Sequence, residues 1–141
     1  MPKKKLLLLA VLLGILLGIL LLLGTKESQE RQAFRAENPQ RYEELLGILL
    51  EAEEKILKNP QNQDAWVTKG WVHEELREYE PALEAYQKAL DIDEASQIAW
   101  INMAAIYKKQ GRYGLARHAY ENFIRIFPLS TQGYSNLEEL Q

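Results

Sequence analysis

The sequence predicts an all-α protein in which antiparallel helix pairs stack into a short solenoid, preceded by one transmembrane helix. Three observations lead to this prediction. Residues 6–24 form an uninterrupted apolar run, and residues 63–96 and 97–130 are two similar segments of equal length. Beyond position 38, apolar residues recur at spacings of three and four, with no alternating strand pattern. At 141 residues, the chain has room for one modest globular domain.

Residues 1–24 are a basic N-terminus followed by the predicted membrane span. Lys3, Lys4 and Lys5 precede the run from Leu6 to Gly24, which has no charged or hydrogen-bonding side chain. A helix of this length reaches about 28 Å, close to the hydrocarbon thickness of a bilayer. We therefore expect it to cross the membrane and contact lipid. The alternative is a cleaved signal peptide that releases a soluble exported protein, but those apolar regions are shorter and end in a small-residue cleavage site.

The flanking charges and small residues of the span give two further expectations. The short, purely basic N-terminal flank favours a cytoplasmic N-terminus and an exported repeat domain in a single-pass protein, with a bacterial inner membrane as the expected location. Ala10, Gly14 and Gly18 recur every four residues, so we expect them to face a neighbouring helix. The alternative is that glycines are simply frequent in membrane spans.

The rest of the chain divides into five predicted segments. They are a juxtamembrane linker or helical extension (25–38), a degenerate half-repeat helix (39–62), two repeats (63–96 and 97–130) and a capping helix (131–141). Pro39 at the first helical position marks the start of the half-repeat helix. Its stretch from Leu50 to Leu57 is similar in sequence to Leu83 to Leu90, at a displacement of 33 residues. This displacement is one residue shorter than the 34 that separate Trp66 from Trp100.

The two repeats match at positions that helix packing explains. Trp66 and Trp100 open the first helices, and small residues follow four positions later. Further matches are Gly70 with Ala104, Tyr79 with Tyr113, Ala82 with Ala116 and Tyr86 with Tyr120. This pattern resembles the tetratricopeptide repeat family, which has the same period of about 34 residues. It departs from the family at Lys69, Met103, His73 and Glu94.

The resemblance implies a concave groove, lined by the first helix of each pair, that binds a protein partner. The groove positions are Val67 and Trp71 in the first repeat, flanked by Asp64, Glu74 and Glu75, and Ile98, Ile101, Ala105, Lys108 and Lys109 in the second. Family members that clamp a C-terminal carboxylate use Lys and Asn. Here Asn102 and Asn136 match, but Val67 and Ile101 replace the lysines, which argues against that mode. The alternative for Trp71 is burial by the chain's own preceding helix.

Composition argues against catalysis and against nucleic-acid binding. The chain has no cysteine and two histidines, and no phosphate-cradling glycine loop. His73 occupies a tyrosine position of the repeat, which favours a packing role. We expect no enzyme activity, cofactor or metal. The net charge is −3, whereas phosphate binding needs a basic face.

Charge divides sharply between the repeats. Residues 63–96 hold three basic and nine acidic side chains, whereas residues 97–130 hold five basic and one acidic, an asymmetry that can orient a partner. The sequence therefore predicts a membrane-tethered protein-interaction module, either an assembly factor or an accessory subunit of a larger membrane complex.

Overall fold

The computed structural model describes residues 28–140. The predicted span at 6–24, including Ala10, Gly14 and Gly18, lies outside these residues. Regular structure within 28–140 is helical throughout, as predicted, and no helix there is long and apolar enough to cross a bilayer. The helices are α1 (described over 28–37), α2 (Pro39–Lys58), α3 (Gln63–Glu75), α4 (Tyr79–Ile92), α5 (Gln97–Lys109), α6 (Tyr113–Ile126) and α7 (Thr131–Glu138).

The chain forms two compact units, one up to Pro39 and one from Gln40 onward. In the first unit, the backbone N–H and the side-chain amide of Asn38 both donate to the carbonyl of Phe34, which ends α1. Pro39 then begins α2. The second unit contains the two repeats.

Each repeat is a pair of packed helices that begins with the same cap. The Asn62 side chain accepts a hydrogen bond from the Ala65 N–H at 3.1 Å and so caps α3. Ser96, at the equivalent position of the second repeat, accepts from the Ala99 N–H at 3.4 Å and caps α5. These side chains satisfy N–H groups that the first turn of a helix leaves without a partner. The repeat in sequence is therefore a repeat in local structure.

The turns between paired helices contain residues with positive φ at equivalent positions. Arg77 has a φ of 64° between α3 and α4, and Gly111 has a φ of 72° between α5 and α6. In the left-handed region a Cβ atom crowds the following carbonyl, which glycine avoids. Both repeats thus make the same turn, but only the second has the residue that suits it.

The main core lies between α4 and α5. Tyr86, Ala89 and Leu90 of α4 are buried with Met103 and Ile106 of α5. At the C-terminal end, α7 packs tightly on α6. A methyl group at Gly133 would lie 2.6 Å from Cδ1 of Phe123 and 2.8 Å from Cγ1 of Ile124.

Helix α2 shows that the predicted displacement of the half-repeat is wrong by one position. Leu83 and Leu90 are each 6% exposed, whereas Leu50 and Leu57 are 69% and 84% exposed. The last residue of α2, Lys58, and the last residue of α4, Ile92, are 34 residues apart. This is the full repeat period that also separates Trp66 from Trp100. Apolar similarity gave the wrong register because α2 has leucine on more than one face.

Candidate functional site

The predicted groove residues lie on α3 and α5, the first helices of the two repeats, which contact each other. Val67 and Trp71 are partly buried and pack against the core of α4 and α5. Ile101 and Ala105 are also partly buried, whereas Ile98 is 58% exposed at the start of α5. The surface is thus an apolar strip with one strongly exposed aliphatic residue.

Trp71 is partly covered by a cation from α2. The Arg41 guanidinium carbon lies 5.5 Å from the centre of the indole ring, within the range of a cation–π contact. The same guanidinium is 3.6 Å from the Glu75 carboxylate. The two ion-pair side chains are 43% and 40% exposed, so water screens the pair strongly. The chain therefore shields one face of Trp71 through a side chain that can be displaced.

A polar network joins the two repeats beneath this strip. The Tyr86 hydroxyl donates to Oε2 of Glu74 at 3.2 Å and accepts from Nδ2 of Asn102 at 2.8 Å. The other Glu74 oxygen pairs with Nζ of Lys109 at 2.9 Å. Burial raises the pKa of Tyr86, and the Glu74 carboxylate raises it further, while the Asn102 hydrogen bond acts in the opposite direction. Tyr86 therefore stays neutral and ties α3, α4 and α5 together.

The two predicted lysines are ion-paired within the chain. Lys109 contacts Glu74, and Nζ of Lys108 lies 2.7 Å from Oε2 of Glu139, just beyond α7. The hydrogen bond to Glu139 raises the pKa of Lys108. Because the Lys108 and Lys109 side chains are 39% and 48% exposed, acidic groups of a ligand can compete for them.

Two tryptophans outside the groove hold each repeat to the preceding linker. The indole N–H of Trp66 donates to the Pro60 carbonyl at 2.9 Å, and that of Trp100 donates to the Glu94 carbonyl at 2.8 Å. These equivalent bonds make Trp66 and Trp100 structural residues, in contrast to Trp71.

The histidine and acidic residues among 28–140 form local hydrogen bonds and ion pairs. No group of three or more His, Asp or Glu residues there could hold a metal ion. His73 instead shares a 2.7 Å hydrogen bond with the Glu78 carboxylate. This contact closes the turn between α3 and α4.

The stacked helix pairs and the strip along their first helices define a helical-repeat protein. Residues 64–95 and 98–128 each match the family described as Tetratricopeptide repeat. The chain therefore contains two tetratricopeptide repeats, as its sequence pattern predicted, and this fold is a protein-interaction scaffold.

Among known proteins, the chain is 35% identical over 99 residues to the protein O-mannosyl-transferase TMTC1 of Mus musculus. The match covers 67% of this chain but spans only 10% of the length of that protein. Solved structures that share the fold at low identity include the following two. The first tetratricopeptide repeat domain of Spaghetti (RPAP3), bound to an HSP90 peptide, has a TM-score of 0.63 and 12% identity, covering 80% of this chain and 94% of that one. The MamA protein has a TM-score of 0.62 and 17% identity, covering 87% and 76% respectively.

Sequence reasoning missed two contacts of the site. Nothing in the sequence indicated that Arg41 contacts Trp71, because this contact depends on how α2 lies against α3. The link from Glu74 to Asn102 had a usable signal. Tyr86 falls at a buried position of the repeat, and a buried tyrosine hydroxyl needs a partner.

Proposed function

We propose that this protein is a non-catalytic, membrane-tethered interaction module, acting as an assembly factor or accessory subunit of a larger membrane complex. The observation that carries the proposal is the apolar strip of Val67, Trp71, Ile98 and Ile101, which ends in an aliphatic side chain 58% exposed at Ile98. Such a surface suits an apolar or amphipathic segment of a protein partner. Tethering raises the local concentration of the groove at the membrane and strengthens a weak interaction.

The charged residues of the groove favour a segment with acidic groups at one end. Lys108 and Lys109 lie on the last turn of α5, beyond the apolar strip. Peptide-bound relatives of the fold include the second tetratricopeptide repeat domain of human RPAP3, in complex with an HSP70 peptide. In this chain, Val67 and Ile101 replace the lysines of the carboxylate clamp, so we expect internal acidic side chains to be recognised. A free C-terminal carboxylate is not needed.

Replacing Trp71 tests the groove. Trp71→Ala should weaken partner capture about thirtyfold, the equivalent of about 2 kcal/mol for a tryptophan hot spot. The full chain, tagged and solubilised from membranes, would be compared with Tyr113→Ala, which removes an aromatic side chain 57% exposed on α6. The proposal predicts that partner chains are lost only from the Trp71 variant. Because Trp71 also packs against the core of α4 and α5, recovery would be compared at a temperature where circular dichroism shows both variants to be folded. Equal recovery from both folded variants would contradict a binding role.

Membrane extraction tests the tether. We expect the protein to stay in the membrane pellet after high-salt and alkaline washes, because surface charge alone does not hold it there. Protease added on the exported side should digest the chain beyond Thr25. Release by alkali would contradict the anchor, and protection from protease would contradict its orientation. A mature N-terminus after position 24, found by mass spectrometry, would favour the cleaved, soluble exported form.

The span itself offers a further test. Gly14→Leu and Gly18→Leu should weaken co-purification with membrane partners without reducing insertion, because a bulky side chain blocks close helix approach. Unchanged co-purification of both variants would leave Ala10, Gly14 and Gly18 as features of composition only.

A further inference from the structure

The Trp71 ring and the Glu75 carboxylate together hold the guanidinium of Arg41. The guanidinium carbon lies 5.5 Å from the centre of the indole ring, and one of its amino nitrogens lies 3.6 Å from Oε2 of Glu75. A planar guanidinium can stack on an aromatic face and pair with a carboxylate at the same time, which a compact ammonium group does less well. Trp71 and Glu75 thus form a guanidinium subsite in the groove.

This subsite is built by one helix and fixed by the core. Trp71 and Glu75 are four residues apart on α3, so they lie on one face of the helix, one turn from each other. The Trp71 ring packs against the core of α4 and α5, which holds the ring in place. All three side chains belong to the compact unit that begins at Gln40. The guanidinium subsite should therefore keep its shape when Arg41 leaves it.

Arg41 is held weakly, and it has a second partner on its own helix. Its nitrogens lie 3.6 Å from the Glu75 carboxylate and 3.5 Å from the Glu44 carboxylate. Both distances are longer than the roughly 2.7–2.9 Å of a strong charge-assisted hydrogen bond. The Arg41 side chain is 43% exposed and that of Glu44 is 64% exposed, so water screens the pair. Because Glu44 is three residues further along α2, Arg41 can keep this partner after it leaves Trp71.

The charges of this cluster favour a cationic side chain from a partner. Glu44 and Glu75 share the single guanidinium of Arg41, which leaves one negative charge in excess. The neighbouring carboxylate of Glu74 is already paired with Lys109 at 2.9 Å. A second guanidinium in the subsite would pair with Glu75 while Arg41 kept Glu44, and the charges would then balance. An apolar group would separate Arg41 from Glu75 without supplying a charge in return.

We propose that a partner segment binds the groove through an arginine side chain, whose guanidinium replaces that of Arg41 on Trp71 and beside Glu75. This inference rests on the proposed function and specifies the partner of the same groove. The surrounding residues 63–96 hold nine acidic and three basic side chains, a balance that attracts a cation. The partner segment is then amphipathic, with apolar residues on the strip and an arginine in the guanidinium subsite. Arg41 competes with it and disfavours segments that carry no guanidinium.

Titration of the full chain in mild detergent tests the subsite, with tryptophan emission as the measurement. The probes are acetyl-arginine amide, acetyl-lysine amide, which has the same charge in another shape, and acetyl-citrulline amide, which has a similar shape without the charge. In Arg41→Ala, which removes the competing side chain, the arginine probe should half-saturate at a concentration about fivefold or more below that of either control probe. The natural chain should need about fivefold more arginine probe than this variant, because Arg41 competes.

Matched variants in the Arg41→Ala background assign the response to the two subsite residues. Glu75→Gln should remove the preference for the arginine probe over the citrulline probe. Glu84→Gln removes an exposed carboxylate from α4 in the same repeat and should keep that preference. Trp71→Phe should remove most of the emission change, because the responding indole is gone. No response, equal responses to the three probes, or a preference that survives Glu75→Gln would overturn the proposal.

Elution of captured partner chains separates this inference from the proposed function. The arginine probe should release them from the natural protein at a concentration about fivefold or more below that of the lysine or citrulline probe, at equal ionic strength. If Trp71→Ala loses the partner but the three probes release it equally, the groove binds proteins without an arginine and only this inference fails. If Trp71→Ala keeps the partner, the proposed function fails, and the titration alone decides whether the subsite binds a guanidinium.

Discussion

Replacing Arg77 with glycine should stabilise the protein, although it removes a charged side chain. Arg77 has a φ of 64° in the same turn where the second repeat has Gly111 at 72°. A side chain in the left-handed region destabilises the folded protein by about 1–2 kcal/mol, and glycine removes this strain. Glycine also makes the unfolded chain more flexible, which offsets about 0.5–1 kcal/mol of the stabilisation. Loss of the 3.4 Å hydrogen bond from Arg77 to the Tyr79 hydroxyl is a small term, because the contact is exposed. We expect a net gain of about 0.5–1 kcal/mol in the free energy of unfolding.

The assay is urea unfolding of the purified full chain in mild detergent, followed by circular dichroism. Arg77→Gly should raise the midpoint without changing the slope, which would place the effect on stability and leave the exposed surface unchanged. Gly111→Ala is the matched control and should lower stability by about 1 kcal/mol, since it introduces a side chain at the same turn position. The two changes lie in separate turns and should add in the double variant. An Arg77→Gly protein no more stable than the parent would refute the claim that this turn is strained.

Three further predictions concern packing and ionisation. Gly133→Ala should lower the free energy of unfolding by about 1–3 kcal/mol, because the added methyl group forces α7 away from Phe123. Gly47→Ala, at an exposed position of α2 with nothing within 4 Å, should instead stabilise the helix. Equal effects of the two variants in thermal melts would contradict the packing of α7. Trp66→Phe should cost about 1 kcal/mol through loss of the bond to Pro60, and Trp100→Phe should behave alike; a neutral result by urea unfolding would show that the linker bond contributes nothing. Because the pKa of Tyr86 is raised on folding, the contribution of Tyr86 to stability should be constant below about pH 9 and fall above about pH 10, by up to about 1.4 kcal/mol per pH unit. Tyr86→Phe should flatten this alkaline decline, and an unchanged slope would show that Tyr86 does not cause it.

The sequence predicted the repeated helices because packing of each helix pair requires aromatic and small residues at fixed positions, and these recur once in every repeat period. Trp66, Gly70 and Tyr86 carry that signal, and each of them has the contact that its position requires. The register of α2 was not predictable in the same way. Leucine lies on more than one face of α2, and the spacing of Leu50 and Leu57 resembles a buried stripe although the structure leaves both side chains exposed.

The groove was predictable as a set of positions but not as a set of contacts. Lys109 was expected to meet acidic groups of a partner, yet it pairs with Glu74 of its own chain. Pairs of this kind join residues on different helices, far apart in the chain, and their geometry depends on how the repeats stack. The positive φ of Arg77 could not be predicted either, because a left-handed turn is usually indicated by glycine and not by arginine.

The different surroundings of the tryptophans provide an internal optical probe. The chain has three tryptophans, and two of them, Trp66 and Trp100, have their indole N–H groups bonded to backbone carbonyls within the fold. Trp71 instead lies under the exposed guanidinium of Arg41. A ligand that displaces Arg41 would change the polarity around one indole and leave the other two unchanged. Shifts in emission wavelength and in quenching by iodide would then report occupancy of the groove without any attached dye.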